Sequence, residues 1–216
     1  MPRYFELQTL IHYGAVNPAI DTSFFTGAVA NNFWTSTNVV GMPSNAYTID
    51  FTNGAASSSV AKTNNTPLTR CVSGQQKDIT SNFIDNSDGT IRDKLTGLIW
   101  QKCSQGQTND SSCSIAANAV GWPAGLIYCN GLNLANRTWR LPNINELYSI
   151  LDVSVTTSPT INSSIFPNTG AGPNYWTSST VNGTVGNGWL IALAAGSSIA
   201  TGGKAGANQI RCVSGP

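Results

Sequence analysis

The residues able to do chemistry in this chain are few: five cysteines, one histidine and ten carboxylates. Cys71, Cys103, Cys113, Cys129 and Cys212 form no C-x-x-C pair, and His12 is the only imidazole, which argues against a zinc site. The acidic stretch Asp85-Asn86-Ser87-Asp88-Gly89 invites a calcium-loop reading. It lacks the alternating D-x-D-x-D-G register and the downstream Glu of a cation cage, so Asp88-Gly89 reads as a hairpin turn. His12 has no Ser or Cys beside it to complete a nucleophile pattern. Trp139-Arg140 reads as a core Trp followed by an Arg bonded to backbone carbonyls or to Glu146. No catalytic residue, metal ligand or cofactor site is expected, and the chain reads as non-enzymatic.

Composition narrows the classes further. Hydrophobic residues make up 40% of the 216 positions, enough for a core, while the charged fraction is only 10% against roughly 25% in ordinary soluble domains. Asn, Ser, Thr and Gly, with aromatics placed between them, describe a loop-rich β protein and not disorder. The formal charge of +1 is spread without runs, leaving no basic face for nucleic acid. No apolar stretch reaches the roughly 20 residues of a membrane-spanning helix. The first residues are not a charged-then-apolar signal, so an exported protein would already have lost its leader.

An internal repeat organises the chain. Glu6-Leu7 recurs 140 residues on as Glu146-Leu147, and Pro18-Ala19-Ile20-Asp21 recurs 141 residues on as Pro159-Thr160-Ile161-Asn162. Phe33-Trp34-Thr35-Ser36-Thr37 matches Tyr175-Trp176-Thr177-Ser178-Ser179, and Arg70-Cys71-Val72-Ser73-Gly74 is repeated as Arg211-Cys212-Val213-Ser214-Gly215. His12 falls opposite Asp152, a further argument against His12 as a base. The first copy, residues 1–74, corresponds only to the stretch from Leu141 onward; residues from about Gln75 to Arg140 have no counterpart upstream. We therefore expect half of a domain at 1–74 ahead of a complete one at 75–216. Half a domain exposes half a core, which has to be covered by the complete domain, by another chain or by an upstream piece.

The elements that must position these residues follow from local pattern. Asp88-Gly89 joins two short strands, and a third is expected through Gly97-Leu98-Ile99-Trp100. Residues 115–132 have helical character, which Gly121, Pro123 and Gly125 break into a loop and a helix. Asn143 with Glu146 forms a capping box that starts a helix over 144–151. Strands are expected at Tyr175–Ser178, Gly188–Leu193 and Gln209–Val213. Two helices followed by short antiparallel strands give an α+β class.

The string Asp88-Gly89-Thr90, Thr96 to Cys103, Tyr128-Cys129, Trp139 to Asn143, Glu146-Leu147, Phe166-Pro167-Asn168, Tyr175 to Ser179 and Arg211-Cys212-Val213 resembles the Lcl-type C-terminal domain, named for a bacterial collagen-like adhesin. The resemblance spans residues 83–213, and its second half covers residues 1–74. It implies a C-type-lectin-like fold on secreted or cell-surface bacterial proteins, with relatives acting in adhesion. By position in that fold it also implies that Cys129 pairs with Cys212, which leaves Cys103 to close a local loop with Cys113. Cys71, opposite Cys212, would be a free or intermolecular thiol.

Calcium-dependent lectins of that fold use Glu-Pro-Asn or Gln-Pro-Asp and Trp-Asn-Asp, and none of these occurs here. Gly172-Pro173-Asn174 lacks the carboxylate such a site needs. The loops 180–188 and 196–208 are the natural variable surface. On them Asn182, Asn187, Trp189, Lys204 and Asn208 are the candidate ligand residues, although Trp189 as a strand residue reads first as facing the core. The sequence thus reads as an extracellular adhesion or recognition module for a glycan or protein. The second reading is a subunit of a surface assembly or filament, a homo-oligomer through residues 1–74.

Overall fold

The computed structural model describes residues 1–74, 82–153, 155, 158–170, 172, 174–194 and 198–215. It is a mixed α+β chain, mostly sheet. Residues 1–74 hold helix α1 (Tyr4–Gln8) and strands β1 (Asn32–Val39), β2 (Met42–Asp50) and β3 (Ala56–Ala61), which pair in that order as an antiparallel sheet. Then come β4 (Phe83–Asp85), β5 (Thr90–Asp93), β6 (Ile99–Gln101) and β7 (Ala119–Val120), followed by α2 (Trp122–Asn130) and α3 (Ile144–Tyr148). The chain ends with β8 (Asn174–Thr180), β9 (Asn187–Ala192), β10 (Ser198–Gly203), β11 (Asn208–Gln209) and β12 (Val213–Ser214). These form a five-stranded sheet ordered β10-β9-β8-β11-β7 and a four-stranded sheet ordered β12-β6-β5-β4.

The repeat in sequence is a repeat in structure. β1-β2-β3 and β8-β9-β10 are the same meander, and the same hydrogen bonds recur in both. Ser36 N donates to Pro2 O at 2.7 Å, as Ser178 N does to Pro142 O at 2.7 Å. Thr35 Oγ1 donates to Tyr47 O at 2.9 Å, and Thr177 Oγ1 to Trp189 O at 2.8 Å. Each copy opens on a short helix with a Glu at its third position reaching back to the cap. Arg3 N donates to Glu6 Oε2 at 2.6 Å and Asn143 N to Glu146 Oε2 at 2.8 Å, which satisfies a backbone donor that the helix leaves free. Arg140 adds a two-pronged contact to Glu146 at 2.6 and 2.7 Å, and Trp139 is buried beside it with Nε1 on Leu134 O.

Three boundaries differ from the sequence reading. The helix expected over 144–151 ends at Tyr148, where the backbone tightens into a turn. The helix within 115–132 is α2 alone: Gly121 caps it and Pro123 sits in its first turn, where a missing N–H costs nothing. The single strand expected at 209–213 is two strands in different sheets, β11 beside β8 and β12 beside β6. Arg211 and Cys212 lie between them, at the crossing from one sheet to the other. The third helix, α1, is the first copy's equivalent of α3.

One apolar cluster runs through both copies, joining Tyr4, Leu7, Ile49 and Phe51 to Trp100, Tyr148, Trp189 and Ile191. Tyr4 and Phe5 pack on Tyr148, at ring separations of 5.1 and 5.5 Å, and Tyr13 packs edge-on against Trp189 at 5.1 Å. Of the three covers open to the first copy, the second copy supplies this one. A smaller cluster around Cys129, Trp139, Trp176, Ile210 and Cys212 fills the space under α2.

Two disulfides close the second copy, Cys103 to Cys113 and Cys129 to Cys212, with Cα atoms 5.2 and 5.5 Å apart. The second spans 83 residues, so its constraint on the unfolded chain stabilises the fold by about 4 kcal/mol, against about 3 kcal/mol for the local loop. Replacing Cys129 and Cys212 by Ala is expected to lower the denaturant midpoint by the larger amount, as read by tryptophan fluorescence in a guanidinium titration.

Inside the local loop, Asp110 accepts from Ser114 and Ser112 through both their hydroxyls and their backbone N–H groups. These bonds, the Ser114 hydroxyl first, hold its carboxyl down at about pKa 2. A depressed carboxylate stabilises the folded loop fully above the unfolded value near 4, and that contribution is lost as pH falls through about 2. Carboxyl chemical shifts should place the Asp110 midpoint below pH 3; a midpoint near 4 would remove the argument.

Candidate functional site

The β8-β9 hairpin and the end of β10 build one polar corner of the molecule. Antiparallel pairing sets Gly203 opposite Asn187, and Lys204 N donates to Gly186 O at 2.9 Å, so the Lys204 side chain starts from a fixed backbone. Its Nζ lies 4.1 Å from the centroid of the Trp122 ring and donates to Thr180 Oγ1 at 2.8 Å. Trp122, on the first turn of α2, is held in turn by its Nε1 on Thr177 O at 2.7 Å. Asn187 opens β9 and is half-buried; the loop 181–186 between the strands is largely exposed, with Val185 outermost. Cation, indole face and hydroxyl thus converge from the end of β10, from α2 and from β8, with Asn187 of β9 paired beside them, a set suited to hydrogen-bonding and stacking against a neutral polar ligand.

The five residues singled out from the sequence separate here. Asn187 and Lys204 come together. Asn182 is spent elsewhere: its Nδ2 donates to Gly14 O at 2.8 Å, clipping the second copy to the first. Trp189 is corrected to a core residue, 5% exposed and packed on Tyr13, so it offers no stacking face. Its neighbours explain why: Gly188-Trp189-Leu190-Ile191 is apolar on both faces because Trp189 and Ile191 meet the first copy and α3 while Leu190 meets the cluster under α2. Asn208 lies on β11, paired with Val120, two residues ahead of Trp122. Trp122 and Thr180 were missed. The signal for Trp122 was an aromatic at a helix start marked by Gly121 and Pro123; nothing local linked it to Lys204, 82 residues away. Of the turn Gly172-Pro173-Asn174, Pro173 lies outside the described residues, as do 196 and 197 of the second loop.

A second opening lies between the copies. Phe5, Leu95 and Tyr148 line a mostly apolar cleft of about 300 Å³, with Gln8, Thr96 and Asn145 at its edges. Among the described residues no cluster of three or more His, Cys, Asp or Glu side chains is placed to hold a metal ion.

The repeated Arg-Cys-Val-Ser segment has two different surroundings. In the second copy Arg211 is fully buried with no carboxylate among its partners. Its guanidinium donates to the carbonyls of Gln101 (2.9 Å) and Lys102, to Ser104 Oγ at 3.0 Å and to Thr169 Oγ1 at 2.9 Å, with the Phe166 ring 4.8 Å away. Burial pulls its pKa down. Cys212 is in its disulfide, and Val213 pairs with Trp100 of β6 and bridges Arg140. In the first copy Arg70 keeps the two rings, Phe25 at 5.2 Å and Phe33 at 5.8 Å, but its buried Nε has no hydrogen-bond partner among the described residues. Cys71 is a free, exposed thiol.

The family model of the Lcl C-terminal domain matches residues 1–73 and 89–214. No curated protein and no solved structure matches the chain.

The contrast between the two arginines is measurable. Arg211→Met removes four charge-assisted donors and strands their acceptors in the core, at a cost of about 3 kcal/mol after the relief of burying a cation. Arg70→Met should cost under about 1 kcal/mol. Equal losses in chemical denaturation would overturn the distinction.

Proposed function

The chain belongs to the Lcl C-terminal domain family, and from that membership we propose that it is an extracellular adhesion or ligand-recognition module without catalytic activity. Its α+β scaffold we read as C-type-lectin-like, complete over residues 75–216, with residues 1–74 the second half of another such domain. Two disulfides suit an oxidising compartment, which supports a secreted or cell-surface location.

One observation carries the reading: the corner where Lys204 stands over Trp122 and on Thr180, beside Asn187 and the exposed loop 181–186. Polar loop residues on a rigid disulfide-tied sheet are how binding is usually mounted on such scaffolds. With one cation in the corner and a net charge of +1, the ligand is a neutral glycan or a polar protein surface, not a polyanion. A second reading, a subunit of a surface assembly, is favoured by the exposed Cys71 and the half-exposed Val72 beside it.

The test is a printed array of neutral and acidic oligosaccharides probed with the labelled chain. A neutral subset should be retained, Lys204→Met should lower that signal tenfold or more, and Lys94→Met, on an exposed turn elsewhere, should leave it unchanged. An array with no retained glycan removes glycan recognition; full binding by Lys204→Met removes the corner.

A further inference from the structure

Residues 1–216 contain one first half, 83–140, for two second halves. In the second copy that first half covers the Arg211–Ser214 segment. β6 pairs with β12 so that Trp100 lies opposite Val213 and Ile99 opposite Ser214, Gln101 N donates to Cys212 O at 3.0 Å, and Cys129 on α2 bonds Cys212. Val213 is 0% exposed as a result.

The equivalent segment of the first copy, Arg70–Ser73, lacks this cover among the described residues. Val72 is 51% exposed, and among the described residues no strand pairs with 71–74. A groove of about 530 Å³ runs along it, floored by Pro2, Leu7, Leu10 and Phe25 and edged by Arg70, Cys71 and Val72. The Arg70 guanidinium is already stacked on two rings, as Arg211 is, with a buried Nε that no acceptor among the described residues reaches. In the second copy the Gln101 and Lys102 carbonyls accept from Arg211 Nη1, and a strand carrying their equivalents would supply the same acceptors to the Arg70 guanidinium.

We propose that this groove is the seat of a first-half unit with the plan of residues 83–140, supplied from outside residues 1–216, which adds a strand along Cys71–Ser73 and bonds Cys71 through the cysteine on its helix. Residues 83–140 themselves cannot fill the seat, because the bond from Cys129 to Cys212 ties them to the second copy. A second copy of the chain has its first half committed in the same way. Strand addition satisfies the open backbone groups, and the floor takes the large side chain that stands at Trp100 in the second copy. The covalent step needs a disulfide oxidant such as glutathione disulfide. The Cys71 thiolate displaces one glutathione thiolate, and the partner's thiolate then displaces the second. One glutathione S–S bond is broken and one protein S–S bond formed, with the two electrons and two protons ending on glutathione. Only this step rests on the extracellular reading.

Two probes test the seat on the intact chain. The first is a synthetic strand of residues 97–104 with Cys103→Ser, added under reducing conditions, where compartment is irrelevant and no folding of the probe is required. It should slow amide exchange across Cys71–Ser73 at least tenfold, and should fail to do so on Val72→Asp. The second is the polypeptide 82–140 with its local disulfide closed, mixed in a glutathione buffer. Peptide mass mapping should find Cys71 joined to Cys129 of the probe, in at least tenfold excess over the adduct formed by Val72→Asp. Unchanged exchange with the strand probe overturns the seat, whatever the longer probe does. Amides at 71–73 already protected in the chain alone mean that its own residues fill the groove, and a dominant Cys71-to-Cys71 dimer in the presence of the longer probe means that a second copy does; either overturns the proposal. If the strand binds but glycan recognition fails, the proposed ligand face is wrong and the seat stands.

Discussion

A guanidinium buried without a carboxylate is the constraint on which the second copy turns. Arg211 leaves water at a cost that carbonyl and hydroxyl acceptors offset only if all of them are in place together. Those acceptors come from Gln101 and Lys102 at the end of β6, from Ser104 just after it and from Thr169 in the turn before β8. One side chain therefore requires three segments, far apart in sequence, to meet at the point where the chain crosses between sheets. Its neighbours extend the requirement: Cys212 binds α2 by disulfide, and Val213 binds the entry to α3 through Arg140. The four residues 211–214 thus determine where the first half of the domain sits on the second.

The first copy keeps its fold without that lock because it borrows a core. Tyr4, Phe5 and Tyr13 insert among Tyr148 and Trp189 of the second copy, and the apolar cluster is continuous across the repeat. Burying a few aromatic side chains contributes several kcal/mol, at roughly 1.5–3 kcal/mol each. This borrowing also buries Trp189 and engages the Asn182 amide, so the side of the second copy turned toward α1 is an internal interface. The corner proposed for recognition lies where α2 meets the end of β8 and the residue after β10.

Much of this was legible in the residues. The repeat specified that α1 and α3 and the two meanders would match, because hydrogen-bonding residues such as Thr35 and Thr177 recur at fixed spacing. The Asp88-Gly89 turn and the Asn143-Glu146 cap are local signals with local causes, and the structure has both. What the residues did not disclose is relational. Gly188 to Leu193 is an apolar run with no alternation, and such a run cannot say which face is covered by which neighbour. The splitting of 209–213 was hidden for a similar reason: the β-prone pattern is unbroken, and only the placing of Arg211 among distant carbonyls turns the chain. The pairing of Lys204 with Trp122 depends on how α2 lies over the sheet, which no spacing encodes.

The two environments of one repeated segment separate what the local sequence dictates from what its partners add. Arg-Cys-Val-Ser-Gly is the same in both copies, and in both the guanidinium lies over two aromatic rings, so the stacking is a property of the second half alone. Burial of the valine, oxidation of the cysteine and satisfaction of the guanidinium all appear only where residues 83–140 are present. These three differences move together because one strand and one helix cause them all. A surface variation unrelated to docking would have no reason to leave the hydrophobe, the thiol and the donor unpartnered at the same equivalent positions. The first copy is therefore a second half built to the same specification as its neighbour, with its stacking already made and its strand pairing left open.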